Sequence, residues 1–145
     1  MIEVRFAGAA SDTGIIRRCL VSPVTCADDL VAVVDGLPGR TAIINHGARP
    51  ATGNIFFDDR EGVYDHELIV AVRGSWGYMR MWDVDDGSGD WILAGDPTSP
   101  AFVGDIAEFP AGAGVPMSKW VVALTEFMVT ARRPESLQWI AETGG

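Results

Sequence analysis

The chain has 145 residues, of which 48% are hydrophobic and 21% charged, and its formal net charge is −9. This composition is typical of a globular protein that can bury a core without disulfides or metals, and it excludes a disordered tail. A chain of this length fits one domain, which we expect over residues 1–145. Because no apolar run approaches the roughly 20 residues of a membrane-spanning helix, we expect this domain to make no contact with a membrane.

The acidic charge is concentrated in the middle of the chain. Residues 58–108 contain twelve carboxylates and three basic residues, which accounts for the whole net charge, whereas the rest of the chain is neutral. Such a segment repels a polyanion, so we expect no direct binding of nucleic acid. It either attracts a basic partner or only keeps the protein soluble, and charge alone leaves both interpretations open.

The first third of the chain predicts one helix among strands. Alternating hydrophobic residues predict a strand over residues 2–6. Thr25, followed three residues later by Asp28, resembles a capping box at the start of a helix predicted over residues 26–35. Further strands are predicted over residues 40–46 and 53–58, separated by Gly and Pro. Since the first residues contain neither the basic nor the apolar region of a signal peptide, we expect the protein to work in the cytoplasm.

The middle of the chain predicts a β-hairpin. Strands are predicted over residues 68–73, 77–84 and 90–93, and the turn-forming residues 85–89 join the last two in an antiparallel pair. One more strand is predicted over residues 103–109.

A long helix is predicted after this strand. Pro116 suits its first turn and Pro134 ends it, and a last strand is predicted over residues 137–140. The helix has a wide apolar stripe that must pack against a sheet, formed by Trp120, Val121, Leu124, Phe127, Met128 and Ala131. We therefore expect an α+β fold: a single domain with a largely antiparallel sheet and two helices packed on one face.

The residues that could perform chemistry do not form a known motif. His46 and His66 lack metalloprotease spacing, no serine lies in a nucleophile elbow, and the Gly-rich stretches match no nucleotide-binding pattern. Cys19 and Cys26 have neither redox nor zinc spacing, and we interpret them as unpaired thiols. We therefore predict no catalytic, metal-binding or cofactor-binding residues and no enzymatic activity.

Residues 83–90 are rich in Asp and Gly, as calcium-binding loops are. Such a loop needs Gly at its sixth position and Glu at its twelfth, and counting from Asp83 these positions hold Ser88 and Ala94. We therefore interpret the segment as an exposed acidic hairpin tip whose charges take no part in core packing.

Aromatic residues lie within the same acidic hairpin region. Trp and Tyr are enriched at binding hot spots, and neighbouring carboxylates would steer a basic partner. Strand alternation places Trp76, Tyr78 and Trp82 on one face of their strand and Asp83 on the other, and either face could be the one in the core. The candidate contact residues are Trp76, Tyr78, Trp82, Asp83, Asp85, Asp86, Asp90 and Trp91.

Four segments of the C-terminal half form a recognisable set: the run Asp105-Ile106-Ala107-Glu108-Phe109-Pro110, the pair Val115-Pro116, the helix over residues 120–127, and residues 130–139 with Arg133-Pro134. On these segments, residues 67–139 resemble the first-described family of immunity proteins of bacterial polymorphic toxin systems. Members of this family often accompany deaminase toxins. The resemblance therefore implies an α+β antitoxin that binds a cognate protein toxin with a basic, nucleic-acid-binding surface, which an acidic face could occupy.

Two other classes of function stay open. A small-molecule-binding domain or minor enzyme would use a pocket between the sheet and the long helix, recognisable as a deep polar pocket with a carboxylate of raised pKa. A structural or oligomerisation module would instead expose a strand edge.

Overall fold

A computed structural model describes residues 2–7, 16–21, 27–49, 52–54, 58–87, 89–104 and 107–142. Within these ranges the α-helices are α1 (Ala27–Asp35) and α2 (Met117–Thr130), and a 3-10 helix spans Pro38–Arg40. None of these helices is long and apolar enough to cross a membrane. The strands are β1 (Ile2–Ala7), β2 (Ile16–Val21), β3 (Thr41–His46), β4 (Thr52–Asn54), β5 (Asp58–Val63), β6 (His66–Arg73), β7 (Trp76–Asp83), β8 (Asp90–Leu93), β9 (Phe102–Val103), β10 (Glu108–Phe109), β11 (Val115–Pro116) and β12 (Trp139–Ala141).

The main sheet of the described chain has eight antiparallel strands. Seven of them follow the order β12-β8-β7-β6-β3-β1-β2, and β11 pairs with the first residues of β7. Two small ribbons, β4–β5 and β9–β10, lie outside this sheet. The predicted α+β fold with a largely antiparallel sheet is confirmed.

Both helices pack on the same face of the sheet. Leu30 and Val34 of α1 share one core with Trp120, Leu124 and Phe127 of α2. The strands contribute alternate residues to this core, as period-two side-chain directions require: Leu68, Val70 and Val72 from β6, and Met79 and Met81 from β7. The prediction of two helices on one face is therefore confirmed, as is the apolar stripe of α2.

The opposite face of the sheet is covered at one end by the β9–β10 hairpin. Phe102 and Phe109 lie with their ring centroids 5.5 and 5.4 Å from that of Tyr78. The single strand predicted over residues 103–109 is wrong, because the Gly104 N–H donates to the Ala107 carbonyl (3.0 Å) and the chain reverses there. Both faces of β7 therefore contribute to a core.

Three strands were not predicted from the sequence: β2, β5 and the two-residue β11. β2 has no simple alternation, and β5 is strongly acidic, so cross-strand pairing with β1 and β4 determines both. Of the strand predicted over residues 53–58, positions 55–57 lie outside the described residues, and so does Cys26, which leaves its pairing with Cys19 untested.

Candidate functional site

Most of the candidate contact residues lie on the hairpin formed by β7 and β8. Its turn is closed by hydrogen bonds from the Asp83 N–H to the Gly89 carbonyl (2.8 Å) and from the Gly89 N–H to the Asp86 carbonyl (2.9 Å). Gly89 has a φ of 91°, which Gly adopts without strain. The predicted hairpin is confirmed, and Asp85 lies at its tip with a side chain that is 60% exposed.

Asp83 is fully buried and does not belong to the exposed tip. Arg49 donates to both of its carboxylate oxygens at 2.7 Å, and the Asp85 N–H donates to Oδ1 at 3.0 Å. Burial acts to raise the pKa of Asp83, but these hydrogen bonds outweigh it and hold the pKa below its usual value. The expectation that Asp83 is exposed and without a packing role is wrong, because its side chain points to the helix side, where a buried charge needs a partner.

Arg49 connects the hairpin to two other parts of the fold. Its Nη1 donates to the Ala131 carbonyl just beyond α2 (3.2 Å), and its Nη2 lies 3.0 Å from Oδ1 of Asp65, immediately before β6. Since Asp83 and Ala131 are 34 and 82 positions from Arg49 in the chain, no local pattern predicts this cluster. The charged cluster fixes the hairpin relative to the end of α2.

Both histidines form part of the same region. The His66 Nε2 accepts from the His46 N–H (2.8 Å), so its Nδ1–H donates to Asp65 (2.9 Å). The His46 Nδ1 accepts from the Ala48 N–H (3.0 Å), so its Nε2–H donates to the Met128 carbonyl (2.7 Å). Both nitrogens of each neutral imidazole ring therefore have a hydrogen-bond partner. Burial lowers the pKa of His66. Within the described ranges, no three His, Cys, Asp or Glu side chains are grouped closely enough to hold a metal ion.

The tryptophans differ in whether their indole N–H groups have acceptors. Three donate to backbone carbonyls at 2.6–3.1 Å: Trp91, Trp120 and Trp139. Trp76 and Trp82 are half-buried, and in the described part of the chain their indole nitrogens have no acceptor. A structural Trp normally finds an acceptor when buried, so Trp76 and Trp82 are the two indoles left available to a partner.

Tyr78 lies between Trp76 and Trp82 on the same face of β7, but it is not accessible. It is fully buried beneath the β9–β10 hairpin, and its hydroxyl donates to the Pro100 carbonyl (2.7 Å). In this fold Tyr78 is inaccessible to a partner, because it is covered by a hairpin where a single strand was expected.

Asp86 and Trp91 are held by an internal cation. The Arg133 guanidinium lies 3.8 Å from the Trp91 ring centroid, and its Nε donates to Asp86 at 2.6 Å. The Trp91 N–H in turn donates to the Asp86 carbonyl (3.0 Å). Arg, Asp and Trp thus form a compact stack on the helix side of the hairpin.

On the other side of the hairpin, the strand register forms a row that the sequence analysis missed. Trp82 lies directly opposite Glu67 of β6 and opposite Asp90 of β8. The row continues past Asp90, whose carbonyl accepts from the Glu142 N–H (2.8 Å). Only the predicted pairing of β7 with β8 could have indicated this row, because Glu67 was not assigned a partner strand.

A groove of about 640 Å³ lies at the start of α2, lined among others by Asp96, Lys119, Val122 and Leu137. It occupies the place expected for a small-molecule pocket between sheet and helix. Hydrogen bonds from the Thr98 side chain and backbone lower the pKa of Asp96, whereas a carboxylate of raised pKa would have favoured the small-molecule alternative. The groove does not favour that alternative.

Comparison with known protein families shows the class of this protein: the chain is an immunity protein. It belongs to the Imm1 family, since the model described as Immunity protein Imm1 matches residues 21–141. The resemblance noted for residues 67–139 is confirmed and extends toward the N-terminus, while β1 and nearly all of β2 precede the matched range. No curated protein matches the chain.

Proposed function

We propose that this protein acts in the cytoplasm, without catalysis, by binding and blocking a cognate toxin that modifies nucleic acid, as a deaminase does. Membership of the Imm1 family makes it an immunity protein. The observation that supports a nucleic-acid-acting toxin is the placement of the whole net charge of −9 within residues 58–108. A toxin that binds nucleic acid has a basic groove, and a local acidic surface competes for that groove and accelerates association.

The β7–β8 hairpin is the proposed contact surface. Its accessible candidates are Trp76, Trp82, Asp85, Asp86, Asp90 and Trp91, which are half-buried or exposed, whereas Tyr78 and Asp83 support the surface from within. The ion pairs of Arg49 with Asp83 and of Arg133 with Asp86 hold the hairpin in one position. Such preorganisation reduces the conformational entropy that is lost on binding.

The test is co-production with the polypeptide encoded beside this gene. We expect cells to survive that polypeptide only when this protein is present, and the two to co-purify as a stoichiometric complex. The purified polypeptide should deaminate single-stranded nucleic acid, and an equimolar amount of this protein should stop the reaction. Val129→Ala, at a residue that is 80% exposed on α2, is the control variant and should inhibit equally well.

The outcomes separate the parts of this proposal. Inhibition of a toxin that leaves nucleic acid unchanged would refute the substrate class but keep the antitoxin role. Undiminished toxicity in the presence of folded protein would refute the pairing itself.

A further inference from the structure

Strand β12 lies at one edge of the main sheet, where only β8 is its neighbour. Its hydrogen bonds to β8 begin at the Gln138 carbonyl (3.0 Å) and end at the Glu142 N–H (2.8 Å). In an antiparallel ladder the backbone groups of successive residues point to alternate sides of the strand. Those of Trp139 and Ala141 therefore point away from β8, and within the described part of the chain they have no hydrogen-bond partner.

This edge lacks the features that normally prevent the addition of a further strand. Natural edge strands are protected by charged side chains or by Pro, among other devices. β12 consists of Trp139, Ile140 and Ala141 and contains neither, and the Ile140 side chain is 56% exposed. By contrast, β2 at the opposite edge contains Arg17 and Arg18. Strand addition is therefore favoured at β12.

The sequence of β12 is complementary to itself in antiparallel orientation. When two copies pair with Ile140 opposite Ile140, the outward backbone groups of Trp139 in each copy meet those of Ala141 in the other. The Ile140 pair is then a non-hydrogen-bonded pair, in which the side chains of opposed residues lie closest together. Each indole lies opposite a methyl group instead of a second indole. The two strands thus match in hydrogen bonding and in size.

The same register brings no like charges together within residues 138–142. Gln138 falls opposite Glu142, whose carboxylate already accepts from the Arg80 Nε (2.8 Å). The acidic tip of each β7–β8 hairpin lies beyond Glu142, so a two-fold axis through the Ile140 pair places the tips at opposite ends of the dimer interface. At about 3.4 Å per residue the tips are more than about 14 Å apart, further than the Debye length of about 10 Å.

We propose that two copies of this protein associate through their β12 strands, with Ile140 opposite Ile140, and form one continuous antiparallel sheet. Strand addition extends a sheet in its own plane, so the association covers neither face of the β7–β8 hairpin. Because β12 has only three residues, the dimer interface is small and the association is weak. This inference does not depend on the proposed function.

Sedimentation equilibrium of the full chain measures the association. We expect the mean mass to rise from one copy toward two between about 10 µM and about 1 mM. Higher salt should increase the dimer fraction, because it screens the repulsion between two chains of net charge −9. A mass of one copy throughout this range, at low and at high salt, overturns the proposal.

Two substitutions test whether β12 forms the contact. Ala141→Pro removes an outward N–H without removing a hydrogen bond to β8, and it should weaken association about tenfold. Ile140→Lys places two ammonium groups opposite each other and should abolish association. The control Val129→Lys adds the same charge at a position that is 80% exposed on α2, and it should associate at least as tightly as the wild type.

Thermal unfolding like that of the wild type shows that each variant is folded. Undiminished association of Ala141→Pro and Ile140→Lys overturns the proposal. Equal weakening by Ile140→Lys and Val129→Lys also overturns it, because only the added charge would then matter.

A disulfide tests the register. Cα atoms of a non-hydrogen-bonded pair lie about 4.5 Å apart, which a disulfide can span. Under mild oxidation Ile140→Cys should therefore form a covalent dimer about tenfold faster than Val129→Cys. The wild type, which contains Cys19 and Cys26, is the reference for links through those thiols. Equal rates for the two cysteine variants would exclude this register and overturn the proposal.

Discussion

Asp83 and Asp85 stand two positions apart in the chain and have opposite surroundings. The Asp83 side chain is 0% exposed and bound by Arg49, whereas that of Asp85 is 60% exposed. Both look alike in the sequence, as acidic residues at a turn. The difference depends on Arg49, 34 positions earlier, and the sequence contains no local signal that brings this guanidinium to the hairpin.

Replacing Asp83 by Asn should therefore destabilise the fold. The change keeps the side-chain shape but leaves the Arg49 guanidinium without its main counter-charge, and breaking a buried pair in this way costs about 3 kcal/mol. Asp85→Asn is the matched control and should change the free energy of unfolding by less than about 0.5 kcal/mol. Urea denaturation measures both, and equal midpoints for the two variants would contradict the structural role of Asp83.

His66 should make the fold sensitive to acid. Its pKa is lowered by burial from the ordinary 6.5, so unfolded chains bind a proton at this ring before folded ones do. The free energy of unfolding should therefore have its full value above about pH 6.5 and should decrease as the pH falls below 6.5. The lowered pKa values of Asp65 and Asp83 add a second decrease below their ordinary 3.8.

Unfolding measured between about pH 7 and pH 5 tests the first of these decreases. The variant His66→Gln should have a flatter dependence in this window and should retain the second decrease at lower pH. The same slope in both proteins would show that His66 does not couple proton binding to folding.

At the scale of elements, α2 was predictable and the small ribbons were not. The stripe of α2 follows from local periodicity, and Trp120, Leu124 and Phe127 are all buried. Trp120 fits against β7 because position 77 is Gly, where a Cβ would lie 2.3 Å from the Trp120 Cγ. Strands of two residues, such as β9 and β10, have no periodicity to detect and exist only through their pairing.

Trp120→Ala should destabilise the protein by about 3 to 5 kcal/mol. The indole is fully buried, and its N–H donates to the Tyr78 carbonyl (3.1 Å), so the change creates a cavity and leaves that carbonyl without its donor. Val129→Ala on the same helix is the control, because its side chain is 80% exposed. Thermal unfolding that is equal for the two variants would show that α2 buries a different face.

At the scale of the whole molecule, the sequence predicted the fold class and the immunity-protein family better than the individual contacts. The charge concentration in residues 58–108 is a property of the chain and needs no coordinates. The three-dimensional fold determines which acidic groups are accessible. The Asp83 side chain is buried, and that of Asp86 is paired with Arg133. Glu67 joined the candidate surface only through its register with Trp82.

If the local acidic surface steers the toxin, the position of a charge change matters more than its size. We compare Asp85→Lys with Asp90→Lys, on the hairpin, against Asp28→Lys with Asp35→Lys, on α1; both pairs raise the net charge equally. The hairpin pair leaves intact the buried Asp83 and its ion pair with Arg49, whose guanidinium also lies 3.9 Å from the exposed Asp85 carboxylate, so we expect it to fold normally. Because steering acts mainly within a Debye length of about 10 Å, this pair should slow association with the toxin about tenfold at low salt.

The α1 pair should associate at nearly the wild-type rate, and the salt dependence of association should weaken only in the hairpin pair. Stopped-flow association at several ionic strengths measures both quantities. Equal slowing by the two pairs would mean that only the total charge of the molecule matters. An unchanged rate in the hairpin pair would move the contact elsewhere in the acidic segment, with Asp58, Asp59 and Glu61 of β5 and the adjacent Asp65 as the next candidates.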